Sequence, residues 1–376
     1  MRSNWLLWQR PGWPALSFDG ASAAAACGSV RFMLGSAEGS LKAIGLATSR
    51  QLTADAWADD TLATAAIEGE KLDLDGVRSS VCRRLGIETT NPRVKVPRNV
   101  DGLLDVMADA VDNARAPLTD ARLKRWQAAL FPTGLSGLQP IAVDVYRAKT
   151  VRIVSGAVGR ERVHYEGPPA ETVPAEMARF LSWFETEAEL DALVKAALAH
   201  LWFETIHPFE DGNGRVGRAV IDLTLARSGT ATSRLVRISQ QLNEHRGDYY
   251  DQLERAQHGP LDVTPWVLWF LAQLEAACAK TIGFIELALA KTRFWTDHAD
   301  ETLNERQKKA LRVLLDAGPG GYMGGMSTRK YEALTGTSRA TASRELVDLA
   351  RRGLVTERGA GRSTRYDIAV AGWMPA

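Results

Sequence analysis

HPFEDGNGRVGR, residues 207–218, is the stretch on which the reading of this chain turns. It lies between two apolar stripes at helical spacing. Leu190, Leu193, Val194, Ala197, Leu198 and Leu201 form the first, ending at Pro208, and Val216, Ala219, Val220 and Leu223 form the second, ending before Gly229. The segment is therefore a loop that leaves one buried helix and enters another. Gly212 and Gly214 flank Asn213, so the backbone can adopt positive φ and turn successive amides toward one concavity. At a helix N-terminus, unpaired N–H groups and the helix dipole both favour an anion, phosphate above all. Arg215 and Arg218 are three apart, which puts both guanidinium groups on one helix face within reach of one phosphate chain. Asp211 offers a hard oxygen ligand beside those phosphates, as magnesium usually requires. His207, with an ordinary pKa of about 6.5, can take a proton from an attacking hydroxyl at neutral pH. Phe209 is expected to point inward and hold the loop. Taken singly, each residue has a plain structural explanation; together they spell a site for a magnesium-bound nucleotide.

The rest of the composition narrows the class. Among 376 residues, 45% hydrophobic and 24% charged is ordinary for a folded globular chain, and the length suits two or three compact units. Forty-six basic against forty-five acidic residues leave a net charge of +1, so no whole-chain field draws the protein to nucleic acid or an anionic membrane. Cys27, Cys82 and Cys278 have no metal-ligand spacing and are odd in number, which excludes a closed disulfide framework and fits a reducing cytoplasm. No uninterrupted apolar run approaches the roughly 20 residues of a membrane span, and MRSNWLLWQRPGWP lacks a signal-peptide core. A cytoplasmic protein without a membrane partner is the expectation.

Along the chain the pattern is mainly α. Trp5, Trp8, Trp13 and Phe18 stand among prolines and predict irregular aromatic chain docked on a core. From about Ala21 to Leu85 the spacing is helical, and a Pro-containing stretch at Asn91 to Pro97 marks a boundary. Residues 142–167 alternate Val and Ile with polar residues around Gly156 and Gly159, as two short strands about a turn would. After Pro265 comes a long apolar run interrupted by Gln273, Glu275, Lys280 and Glu286, which predicts a core helix or one facing a second copy in a homodimer. Beyond Leu303 follow a helix, a glycine-rich turn, helices opening at Ser327 and Ser338, and two strands. The expected domains are 1–95, 96–298 and 299–376.

The 207–218 string resembles the signature of the Fic family, His-x-Phe-x-Asp/Glu-Gly-Asn-Gly-Arg-x-x-Arg, with every fixed position filled. The resemblance implies a Fic-type helical core with a β-hairpin flap, and transfer of AMP from ATP to a Ser, Thr or Tyr hydroxyl of a target protein. It assigns His207 as general base, Asp211 as magnesium ligand, and Gly212, Asn213, Gly214, Arg215, Gly217 and Arg218 to the nucleotide. The strand pair before Glu166 resembles the Fic flap, which holds a target peptide by strand addition; Val163, His164 and Tyr165 would lie there. RGDYYDQLERAQHGPLDVTPW, residues 246–266, resembles the family's segment over adenine and ribose and implies Tyr249, Tyr250 and Gln257 as nucleotide contacts. WQRPGWPALSFD is similar to the N-terminal domain of many bacterial Fic proteins. TAAIEG, residues 64–69, resembles the family's inhibitory helix, in which Glu68 would pair with Arg218 and Thr64 would help hold the helix. A carboxylate there competes with phosphate for the same guanidinium. Relatives that remove AMP, or that transfer phosphate or other nucleotides, keep those chemistries open. An ATP-sensing DNA-binding regulator is open as well.

Residues 321–376 carry nine basic and five acidic side chains, a local charge of +4. Helix, turn, helix and wing match a winged helix-turn-helix, with Ser338, Arg339, Thr341 and Arg344 at the start of the recognition helix and Arg362 and Arg365 in the wing. Such a module either binds DNA or docks a second copy or a target, and the sequence leaves both open.

Overall fold

The structure, a computed structural model, describes residues 5–87, 98–155, 162–229 and 235–373. The boundary stretch 91–97, the turn at Gly156 and Gly159, and the side chain of Arg362 lie outside them. By compactness the chain parts into units 1–282 and 283–376.

In the first unit a short 3-10 turn, Leu7–Gln9, precedes helices α1 (Gly20–Lys42), α2 (Leu46–Ile67), α3 (Leu74–Arg84), α4 (Arg98–Asp112) and α5 (Asp120–Leu130). Two small antiparallel pairs follow, β1 (Leu135–Ser136) with β2 (Gln139–Pro140) and β3 (Arg152–Ser155) with β4 (Arg162–Glu166). Then come α6 (Val173–Thr186), α7 (Ala192–Ile206), α8 (Asn213–Arg227), α9 (Ile238–Glu244), α10 (Arg246–Gln257) and α11 (Thr264–Asp297), the last running across the division between units.

The α7–α8 pair is the axis of this unit. From Leu193 to Ile206 every residue of α7 is buried except Lys195, as a helix apolar on all sides demands. Asp191 starts α7 by accepting from the Leu193 amide. One core layer packs α4, α5 and α6 on α7 and α8 through Leu104, Trp126, Phe180, Phe203 and Phe209. A second packs α1, α10 and α11 on the other side through Val30, Tyr249, Trp266 and Phe270. By length and apolarity alone α11 would suffice to cross a bilayer. Yet Trp266, Val267, Phe270, Leu271, Leu274 and Cys278 are buried in protein, and the Trp266 indole N–H donates to the Ala197 carbonyl of α7. The aromatic opening docks as irregular chain: Trp8 Nε1 donates to the Glu166 carbonyl and Trp13 meets Trp202 edge to face.

What matters for the site is how α2 ends. Glu68 is its C-cap, Gly69 follows at φ +82°, the Gly69 amide bonds the Ala66 carbonyl and the Glu70 amide bonds the Ala65 carbonyl. That is a Schellman ending, and the left-handed residue it needs is supplied by the glycine of the TAAIEG string. The cap folds Glu68 and Glu70 back over the start of α8.

The second unit holds α12 (Glu305–Asp316), α13 (Thr328–Thr335), α14 (Arg339–Arg351) and the antiparallel pair β5 (Val355–Arg358) and β6 (Arg365–Ile368). Asn304 and Gln307 form a capping box on α12, and Ser327 and Ser338 cap α13 and α14. Its core is Leu311, Leu315, Met326, Tyr331, Leu346, Leu349, Tyr366 and Ile368.

Candidate active site

The loop between α7 and α8 is held by its own side chains. Asn213 closes it like a staple: the Phe209 amide donates to Asn213 Oδ1 at 2.9 Å, and Asn213 Nδ2 donates to the Phe209 carbonyl at 2.8 Å. Phe209 is wholly buried against Phe203 and Tyr146, which contributes about 1.5–3 kcal/mol to fixing the turn. His207 ends α7 in the left-handed region at φ 50°, unusual for a residue with a side chain. Arg147, itself buried, bolts the loop to its surroundings by donating to the carbonyls of His207, Pro168 and Lys149.

At the start of α8, Gly212 is the N-cap at φ +89°. A Cβ on Gly214 would lie 2.3 Å from Glu68 Oε1, so a carboxylate already rests where the helix end invites an anion. Arg218, buried, donates to Glu68 at 2.7 Å, to the Thr64 hydroxyl at 2.7 Å and to the Thr64 carbonyl at 3.0 Å. Burial pushes the Glu68 pKa up, but Arg218 above all, and Arg215, outweigh it and hold the carboxyl below its ordinary value. Arg215 lies over the Phe131 ring at 4.8 Å and pairs with Glu70 at 2.6 Å and with Asp211 at 3.5 Å. Both motif arginines thus face carboxylates from the end of α2.

The side chain of Asp211 is partly exposed and takes a hydrogen bond from Ser136 of the β1–β2 hairpin. Among the described residues no three His, Cys, Asp or Glu side chains cluster as a metal cage. One carboxylate beside a phosphate nest is what a nucleotide-borne magnesium needs, since that ion keeps waters and phosphate oxygens as its other ligands. The residues present fit a magnesium ion arriving with a nucleotide, for which Asp211 would be the carboxylate at hand.

His207 has its pKa pushed down to about 4 by burial, with the Arg147 cation adding to the effect. Its imidazole is neutral at pH 7. Glu204, one turn earlier, is pushed up to about 8 by burial and by the Glu68 charge, so its carboxyl keeps a proton.

The flap strands β3 and β4 pair Arg152 with Glu166, Ile153 with Tyr165 and Val154 with Val163, with the register shifting between Ile153 and Val154. Tyr165 is buried and donates to the Thr205 carbonyl at 2.5 Å, anchoring β4 on α7. His164 reaches Glu254 of α10 at 2.9 Å, while Val154 and Val163 remain about half exposed. Of the residues implied for adenine and ribose, Tyr249 and Gln257 are buried with their polar ends on α7: Tyr249 on His200 Nε2 at 2.8 Å and Gln257 on the Glu204 carbonyl at 3.2 Å. Tyr250 is 40% exposed and donates to the Ile67 carbonyl beside Glu68.

The sequence reading did not single out Glu70, Ser136, Arg147 or Glu204. Glu204 alone carried a local signal, three residues before His207 and so on the same face of α7. The others reach the loop from sixty or more residues away, Ser136 from a strand of only two residues.

Known proteins bear on this geometry. Residues 117–225 match the Fic/DOC family, residues 5–87 the domain of unknown function DUF4172, and residues 321–369 the C-terminal domain of the DIP2311-like transcriptional regulators. The chain is 32% identical over 99 residues to the probable protein adenylyltransferase aq_aa38 of Aquifex aeolicus (strain VF5), a match over 26% of this chain and 28% of that protein. It is 31% identical over 122 residues to the uridine 5'-monophosphate transferase of Xanthomonas campestris pv. campestris (strain 8004), over 30% and 22% of the two chains. The matches thus span about a quarter of the length of these curated relatives. The crystal structure of a Fic family protein from Desulfovibrio desulfuricans G20 overlays with a TM-score of 0.55 at 22% identity, covering 94% of this chain and 98% of that one. The mainly helical fold is like that of a Fic protein, and residues 117–225 of this chain match the Fic/DOC family.

Proposed function

We propose that this chain transfers an adenylyl group from ATP to a Ser, Thr or Tyr hydroxyl of a target protein, and that Glu68 restrains it. The observation carrying this reading is the Glu68 carboxylate on Arg218, lodged against Gly214 at the mouth of α8 beside a neutral His207. An anion from the chain itself already occupies a site shaped for phosphate. In the active form the terminal phosphates take its place on Arg218 and Arg215. The target hydroxyl gives its proton to His207 as its oxygen attacks the α-phosphorus; the bond from that phosphorus to the bridging oxygen breaks and pyrophosphate leaves. Asp211 would hold magnesium, which neutralises phosphate charge when bound. Arg215 and Arg218 stabilise charge developing on the leaving group, and nothing covalent forms on the enzyme. The half-exposed edge of β3–β4, with Val154 and Val163, suits a target segment laid down as a further strand.

The experiment is intact-mass spectrometry of proteins labelled by a Glu68→Gly variant supplied in turn with ATP and UTP. A gain of one adenylyl group from ATP is expected. A uridylyl or phosphoryl gain instead would move the chain to the other transferases, and loss of adenylyl from a premodified protein would make it a remover of AMP.

Glu70 is the second carboxylate of the brake, since it holds Arg215 as Glu68 holds Arg218. In a Glu68→Gly background, Glu70→Ala is expected to lower KM for ATP by about 2- to 5-fold, the worth of a half-exposed ion pair. Initial rates measure it; an unchanged KM would remove Glu70 from the brake.

A second reading concerns the C-terminal unit. Helix α14 exposes Arg339, Ser343 and Arg344, and β5–β6 stands as a wing after it. Together with the local charge of +4 and the match to regulators, this favours duplex DNA as a partner. Anisotropy of a labelled random duplex with the full chain is expected to show binding that weakens as salt rises, and to weaken further in an Arg339→Ala/Arg344→Ala double variant. No binding at low salt would leave this unit to docking a second copy or a target.

A further inference from the structure

Around the last turn of α7, three buried polar atoms have no hydrogen-bond partner among the described residues: His207 Nδ1, Glu204 Oε1 and His200 Nδ1. Each such atom costs about 1–3 kcal/mol, and three in one place do not serve stability. They belong together. Glu204 Oε2 is 3.6 Å from His207 Nδ1, a gap that a small side-chain rotation closes. A Cβ on Gly217 would lie 2.5 Å from Glu204 Oε1 and 3.1 Å from His200 Nδ1, so both atoms crowd one point that only a glycine of α8 leaves free. His200 in turn bonds the Tyr249 hydroxyl through Nε2 at 2.8 Å.

We propose that Glu204 is a positioning residue for His207: an un-ionised carboxyl whose carbonyl oxygen accepts from Nδ1–H and so keeps Nε2 bare for the proton of the incoming hydroxyl. The inference rests on the adenylyl-transfer reading of the site. His200 is kept neutral, its pKa lowered to about 3 by burial and by Arg218. His207 has its own hydrogen on Nδ1, facing Glu204. Catalytic hydrogen bonds are commonly long without substrate and tighten with it, as a 3.6 Å approach requires. When His207 takes up the hydroxyl proton, the Glu204 carbonyl oxygen also stabilises the imidazolium. Gly217 gains a purpose from this, since any side chain there would drive Glu204 off the line.

Two substitutions and a tautomer measurement test the proposal. Glutamine keeps a neutral carbonyl oxygen for His207, whereas leucine offers none. In a Glu68→Gly background, Glu204→Leu is expected to lower kcat roughly tenfold, about one hydrogen bond's worth, with KM for ATP unchanged. Glu204→Gln is expected to stay within about twofold of its parent, because a neutral acceptor is all that is required. Imidazole 15N spectra of the full chain at pH 7, with the His207 signals identified by their loss in His207→Ala, are expected to show Nδ1–H on His207 in wild type and in Glu204→Gln. An Nε2–H tautomer in wild type, a Glu204→Gln variant as slow as Glu204→Leu, or a loss confined to ATP affinity would overturn the proposal. The spectra decide it even where Glu204→Leu fails to fold. Absence of any transferred nucleotide from the Glu68→Gly parent would instead strike the adenylyl-transfer reading, leaving the tautomer result standing.

Discussion

Alanine in place of His207 is expected to cut adenylyl transfer about a thousandfold, within the range a general base contributes, while ATP still binds. The two effects separate because His207 ends α7 while the anion nest begins at Gly212, and Arg215 and Arg218 are untouched. The backbone of His207 sits at φ 50°, where alanine is strained and asparagine is tolerated, so His207→Asn is the companion variant. Calorimetry with ATP and a labelling assay measure both quantities, ideally in a Glu68→Gly background. Loss of binding in both variants would make His207 a structural residue of the loop. The pH profile follows from the same group. Its pKa is lowered to about 4, so the neutral, proton-accepting form is present above that value and is lost as pH falls through it. kcat/KM is therefore expected to be flat from about pH 6 to 8, with its acid limb well below the ordinary histidine range.

Removing the brake has the next largest effect. Glu68→Gly is expected to raise adenylyl transfer ~100-fold, because Arg218 is buried and its pairing with Glu68 is of the kind whose rupture is worth several kcal/mol. ATP must now supply the anion that Arg218 lacks, which turns the stability of the closed form into affinity for nucleotide. The gain is expected in KM for ATP first, read from initial rates at several ATP concentrations. Equal rates for variant and wild type would refute the brake. Removing the neighbouring Glu68 charge also lowers the cost of ionising Glu204, a change that bound phosphates offset by restoring negative charge to the same place.

The sequence made much of this site legible because its signals are local. Helices α7 and α8 follow from their apolar stripes, the loop between them from Pro208 and the glycines, and the inward Phe209 from the need to anchor that loop. Ser327 and Ser338 start their helices where their types and positions imply. The strands β3 and β4 follow from alternation, and the aromatic opening from prolines that forbid helix. What stayed hidden depends on distance in sequence or on backbone detail. Glu70 becomes a partner of Arg215 only through the Schellman ending at Gly69, which turns two carboxylates of one short string toward two arginines 145 residues on or more. Arg147 is an unremarked residue in an alternating stretch until its guanidinium gathers three carbonyls from the loop and the end of the flap. The hairpin β1–β2 has strands of two residues, too short for any period, yet it delivers Ser136 to Asp211. Tyr249 and Gln257 show the converse: a tyrosine and a glutamine on one helix do not reveal by themselves that their polar ends turn inward to α7.

The most direct test is a crystal structure of the Glu68→Gly variant soaked with magnesium and ATP. The triphosphate is expected across the amides of Gly212 to Gly214, with Arg215 and Arg218 on its terminal phosphates, magnesium on Asp211, and His207 Nε2 facing the side from which an alcohol would attack the α-phosphorus. Nucleotide bound elsewhere on the molecule, with the start of α8 left bare, would contradict the function proposed for this chain.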